Sequence, residues 1–175
     1  MGKGTVVRKL LERHPDVWIS VSATTRSPRE GEIDGLDYFF VDDEEFDRMV
    51  ADEELLEWAA VHGTRYRYGT PRKPVLEQLS TGVPVILEID LAGARQIRET
   101  MPKATFVFLA PPSWEVLEQR LEGRGTEGDG ERQRRLETAQ EEMAAQGEFD
   151  AVVVNDDVDD AADEIGAILR GGAIH

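Results

Sequence analysis

At 175 residues, 40% of them hydrophobic, the chain is long enough for one compact domain with a real core, with small lobes attached. Its net charge of −16 disfavours nonspecific binding to nucleic acid or anionic membranes, but leaves room for a small anionic ligand wherever arginine is concentrated. The lack of cysteine excludes disulfides and thiolate metal sites, and no apolar run approaches the roughly 20 residues of a membrane helix.

The chain opens with Gly2-Lys3-Gly4-Thr5, and a helical pattern runs over 4–13. A short strand is expected over Val17–Ser22. Residues 31–70 are richer in aromatics and acids, with strand-like pieces at 37–41, 55–61 and 66–69 and a helix at 43–51; they read as an inserted lobe. Strand then alternates with helix: strands at 83–90, 105–110 and 151–155, helices at 91–100, 113–122, 131–146 and 159–170. The three strand runs are nearly continuous in apolar residues, which predicts burial on both faces of a parallel sheet. Such alternation is the pattern of an α/β fold with crossovers. Between two of the helices, residues 123–135 hold four glycines and four arginines, which suits a mobile, positive lid over phosphates.

Three features carry chemistry from the residues alone. Gly2-Lys3-Gly4-Thr5 matches the back half of a P-loop, in which loop amides and a lysine hold phosphates at a helix N-terminus. Arg26 and Arg29, three apart beside Thr24, Thr25 and Ser27, can grip a phosphate through forked donors. Glu88 and Asp90 close a buried strand, where α/β folds bind ligands; either can orient hydrated Mg²⁺ or a nucleotide, and Asp90 can instead cap the next helix.

The string from Ser22 to Val41, SATTRSPREGEIDGLDYFFV, resembles the guanylate kinase pattern SxTTRxPRxGExxGxDYxFV, and the resemblance continues almost to the C-terminus. It implies that Arg26, Arg29 and Tyr38 bind the phosphate of GMP and that Ser22 contacts guanine. Leu56-Glu57-Trp58-Ala59 and Tyr68-Gly69-Thr70 are similar to the family's FLEWA and YYGT segments, although Thr64–Arg67 departs from the pattern and leaves the pairing of Tyr66 and Tyr68 open. A carboxylate such as Glu57 can accept from both N1–H and the 2-amino group of guanine, donors that adenine lacks. Tyr68 and Thr70 would complete the base and phosphate contacts, while Trp58 reads as core. Leu87–Arg95 resembles the family's LEIDxxGA(R/K) strand end. Arg124 and Arg135 match its lid arginines, with Arg120 and Arg132 as second candidates, and Asn155 matches the residue that touches the adenine of ATP.

The resemblance therefore implies a P-loop kinase: three α/β/α layers, a core over 1–30, 71–122 and 136–175, a GMP-binding lobe at about 31–70 and a lid at about 123–135. It implies direct phosphoryl transfer from ATP to GMP. Lys3, Arg29, Arg124 and Arg135 would be catalytic, Gly2, Lys3, Gly4, Thr5 and Asn155 would hold ATP, and Asp90 would join the GMP site. Mg²⁺ would arrive with ATP, near Thr5, Glu88 or Asp90. No nucleic acid, membrane or obligate protein partner is expected, and the location expected is cytoplasmic. The family pattern places a central strand and further glycines before the GKGT string, so a late start at Met1 is also expected. Two competing expectations are a non-catalytic binding domain of the same family, taking a phosphopeptide or protein partner, and an inactive truncated product.

Overall fold

The computed structural model describes residues 2–61, 64–122 and 129–171. The expectations attached to Met1 and Arg124 lie outside the described residues. The protein is a mixed α/β structure with parallel strands and, among the described residues, seven α-helices. It divides into two compact units, residues 16–104 and residues 1–15 with 105–175.

The unit of residues 16–104 contains β1 (Trp18–Ile19), β2 (Ala23–Thr24), β3 (Phe39–Phe40), α2 (Asp43–Ala51), β4 (Leu55–Ala60), β5 (Arg67–Pro71), α3 (Arg72–Ser80), β6 (Val85–Ile86) and α4 (Leu91–Thr100). The expected strand over Val17–Ser22 is shortened to Trp18–Ile19. This strand, β1, pairs in parallel with β6, with Trp18 level with Val85. The chain then enters a second, mixed sheet in the order β3-β2-β5-β4. Here β2 runs parallel to β3 and antiparallel to β5, and β5 runs antiparallel to β4.

Ala23, Phe46, Met49 and Leu55 are buried together under this sheet, with Phe39, Val41 and Val50 packed around them. The helix α2 keeps the bounds its sequence predicts. Asp42 caps it by accepting from the Glu45 N–H at 2.8 Å, and the acids of its first turn suit the helix dipole. The helix α3 is absent from the predicted elements. Its apolar pattern is weak, since Val75 is buried but Leu76 and Leu79 are exposed, and Pro74 is tolerated only because it lies in the first turn.

The other unit contains α1 (Lys3–Arg13), β7 (Val107–Ala110), α5 (Trp114–Glu122), α6 (Asp129–Ala144), β8 (Ala151–Val154) and α7 (Val158–Leu169). Val6 and Leu10, one turn apart, are the fully buried residues of α1, which packs on α7. Arg13 pairs with Asp159 and Asp163 of α7, and His14 lies against Gly166. The strands β7 and β8 pair in parallel.

The expectation of strands buried on both faces fails for β8, where Ala151 and Val153 are buried but Val152 and Val154 are exposed. Successive side chains point to opposite faces, and only one face of this strand is covered within the unit. Trp58, read as core, is also 38% exposed and leans edge-on against Phe46. Its strand position points it away from the face on which Glu57 is buried. Residues 129–135, placed in the predicted lid, form the first turns of α6, since they are rich in helix-favouring Glu, Arg and Gln.

Candidate functional site

In the mixed sheet two clusters form. The first is built around Arg26, just after β2. Its Nε donates to the Tyr68 hydroxyl at 3.0 Å, and its two terminal nitrogens fork onto the Glu32 carboxylate at 2.9 and 3.0 Å. The guanidinium also stands over the Tyr38 ring, 5.2 Å from its centroid, and Tyr38 meets Tyr68 edge-on at 5.8 Å. Arg26, Tyr38 and Tyr68 are thus brought together.

Arg29 joins through its backbone, whose N–H donates to Glu32 at 2.7 Å, while its side chain is exposed. These donors hold the Glu32 carboxyl down at about 2, chiefly through Arg26, and Glu32 in turn pushes Arg26 upward. Burial raises the Tyr38 phenol above its ordinary value.

The strand register separates Tyr66 from Tyr68. Tyr68 stands opposite Thr24 and Ala59, with its hydroxyl on Arg26, whereas the Tyr66 carbonyl closes the turn by accepting from Val61. Arg67, between them, turns the other way: it stacks 4.5 Å from the Phe46 ring centroid and pairs with Asp43 and Asp47 of α2. That side chain fastens the β4–β5 hairpin to the helix.

The second cluster lies on neighbouring residues of the same strands. A bulge after Leu55 sets Glu57 opposite Thr70. Both side chains are buried, and the Thr70 hydroxyl donates to Glu57 Oε1 at 2.6 Å. Burial raises the Glu57 carboxyl above its ordinary value; the Thr70 hydrogen bond opposes this and the charge of Asp90 adds to it. Asp90 caps α4, accepting from the Gly93 N–H at 2.7 Å. Ser22 precedes β2, and since Ala23 is level with Gly69, Ser22 falls level with Thr70. Glu88 is exposed.

In the other unit, Gly2 caps α1 with a left-handed φ of 77°. A methyl group there would stand 2.8 Å from Asn155 Nδ2, so the first glycine and the buried Asn155 are neighbours. Lys3, Gly4 and Thr5 are exposed in the first turn of α1. Arg120 donates to the Asn155 carbonyl at 3.2 Å. Arg132 pairs with Glu122 of α5, and Arg135 donates to Glu131 one turn earlier in α6. Among the described residues no group of three or more His, Cys, Asp or Glu could hold a metal ion. A metal delivered on phosphates needs no such cage.

Sequence reasoning missed Glu32, although it lies inside the quoted string. An acid three residues after one arginine and six after another, just past a glycine, was the available signal. Gly93, inside the quoted Leu87–Arg95 motif, was given no role.

An α/β fold that brings an arginine between two tyrosines and a buried carboxylate–hydroxyl pair onto one sheet is of the class suited to a nucleotide ligand. The family model described as guanylate kinase matches residues 1–171. A guanylate kinase of Thermobifida fusca (strain YX) is 60% identical over 169 residues, 97% of this chain and 85% of that protein. One of Synechococcus sp. (strain CC9311) is 58% identical over 165 residues, covering 94% and 86%. The crystal structure of guanylate kinase from Anaplasma phagocytophilum matches with a TM-score of 0.77 at 40% identity, covering 95% of this chain and 79% of that one. The chain belongs to the guanylate kinase family. Among the described residues, no helix is long and apolar enough to cross a membrane.

Proposed function

We infer that this chain is a guanylate kinase that transfers the terminal phosphoryl group of ATP to GMP, giving ADP and GDP. Beyond family membership, the observation that carries this reading is the buried Glu57–Thr70 pair. A carboxylate without a cation is costly to bury, and paired N–H donors from a ligand repay that cost. Guanine offers N1–H and the 2-amino group side by side; adenine offers an acceptor at N1 and no 2-amino group. Binding those donors favours the ionised form of Glu57, against the burial that raises it. Thr70 holds one carboxylate oxygen, and Ser22 and Asp90 complete the base contacts in this reading.

The phosphate of GMP falls to Arg26, Arg29, Tyr38 and Tyr68. Arg26 is already oriented by Tyr68 and Glu32, so little side-chain entropy is lost when the anion binds. On the ATP side, Gly2, Lys3, Gly4 and Thr5 hold phosphates at the α1 N-terminus, and Asn155 takes the adenine. Thr5, whose hydroxyl is a hard oxygen, would hold the Mg²⁺ that accompanies ATP, with Glu88 and Asp90 as the further candidates; the ion would supply charge neutralisation at the phosphates.

The acceptor is itself an anionic phosphate, so no side-chain nucleophile is needed. Lys3, Arg29, Arg124 and Arg135 act by positioning and by stabilising charge. The lobe at about 31–70 and the lid at about 123–135 exclude water in this scheme. A cytoplasmic location fits both nucleotides. Incubating the chain with Mg-ATP and GMP and resolving the products by ³¹P NMR tests the reading. Stoichiometric ADP and GDP support it, and an unchanged spectrum overturns it.

A further inference from the structure

Glu57 is enclosed on a side to which no role has been assigned. Gly93, in the first turn of α4, is buried, and a methyl group built on it would stand 2.7 Å from Glu57 Oε2 and 3.2 Å from Glu57 Cδ. Neither the backbone nor the helix calls for glycine here. Gly93 is not among the residues with a left-handed φ, and glycine weakens a helix relative to alanine. The close approach of Glu57 is the remaining reason for it.

An intruding methyl group usually displaces a flexible side chain at little cost. This carboxylate is different, because it is 7% exposed and its other oxygen is held by Thr70 at 2.6 Å. The neighbouring Asp90 Oδ1, 3.2 Å from the same point, is engaged by the Gly93 N–H. Behind Glu57, Gly69 does the same for the main chain: a methyl there would stand 3.0 Å from the Glu57 carbonyl oxygen. Two glycines therefore allow β4, β5 and α4 to close on one acid.

We propose that Gly93 is a positioning residue for base selection: its missing Cβ lets the Glu57 carboxylate lie against α4 in the orientation that meets the paired N–H donors of guanine. This rests on the reading of Glu57 as the guanine-recognising group. Alanine at 93 turns or retracts the carboxylate, so the donor at the 2-amino position loses its acceptor.

The test is calorimetric titration of the full chain with GMP and with IMP, which keeps N1–H but lacks the 2-amino group. Gly93→Ala is expected to weaken GMP about tenfold or more and IMP much less, so that the preference between them shrinks. Glu57→Asp alone weakens GMP. Combined with Gly93→Ala it should bind GMP more tightly than Gly93→Ala alone, since the shorter acid makes room for the methyl group. Wild-type affinity and preference in Gly93→Ala overturn the proposal, and so does an equal loss for GMP and IMP. If Glu57→Gln also binds GMP as the wild type does, the reading of Glu57 falls with it. If Gly93→Ala yields no folded protein, the double variant decides: folded and GMP-selective supports the proposal, and any other result overturns it.

Discussion

The two ends of the proposed GMP site hold a glutamate in opposite ways. At the base end Glu57 is buried beside a neutral hydroxyl, with a second acid nearby, and its carboxyl is raised. At the phosphate end Glu32 sits in the fork of Arg26 with a backbone N–H added, and its carboxyl falls to about 2. The same side chain is thus short of donors in one place and well supplied in the other. A carboxylate short of donors is suited to reading a ligand's N–H groups, while a well-supplied one is suited to holding a neighbour in place. In the proposed site Glu57 is therefore the group that would read the base, and Glu32 the scaffold that holds Arg26.

The contrast is broken most severely at Glu57. Glu57→Ala should lower kcat/KM for GMP about 100-fold or more, because guanine donors would then face an unfilled, dry position. Steady-state assays at saturating ATP measure it. Arg26→Ala comes next, with a loss of about 10- to 100-fold expressed mainly in KM for GMP, since one forked charge-assisted contact to phosphate goes. Glu32→Gln should have a smaller effect, raising that KM about 3- to 10-fold with kcat little changed. If instead it tightens GMP binding, Glu32 competes with the phosphate rather than presenting Arg26 to it.

Acid titration of stability sharpens the same comparison, with opposite signs. The folded-state value of Glu32 lies below the ordinary 4.5, so its stabilisation is complete above 4.5 and is lost as the pH falls toward about 2. Glu57 is raised above 4.5, so the folded chain keeps a proton that the unfolded chain has released. Stability from this group therefore declines as the pH rises from 4.5 through its raised value. Urea denaturation across pH should show the first slope vanish in Glu32→Gln and the second vanish in Glu57→Gln.

Regular elements with strong periodicity and good caps were legible in the sequence. The helices α2 and α4 lie where the pattern puts them, each started by an aspartate cap. The helix α3 was not legible, because tertiary contact rather than an apolar stripe maintains it. Strand runs were legible as β-rich stretches, but which faces are covered depends on partners, and Val152 and Val154 show that an apolar residue in a strand can face outward.

The candidate site residues were found by motif, whereas their mutual arrangement was not. The bulge that sets Glu57 opposite Thr70 leaves no local signature, and the register of Tyr68 is set by strand partners distant in sequence, Thr24 among them. Gly93 stands at the glycine of the LEIDxxGA pattern, but the reason for it was not legible, since its neighbour Glu57 is distant in sequence.

The most direct measurement of the central claim is acceptor choice. With ATP as donor, the ratio of kcat/KM for GMP to that for AMP is determined for the wild-type chain and for Glu57→Gln. The account predicts a preference for GMP of about 100-fold or more in the wild type, collapsing in the variant as the loss falls on GMP. An undiminished preference in Glu57→Gln would contradict it, because base choice would then reside elsewhere than in the buried carboxylate.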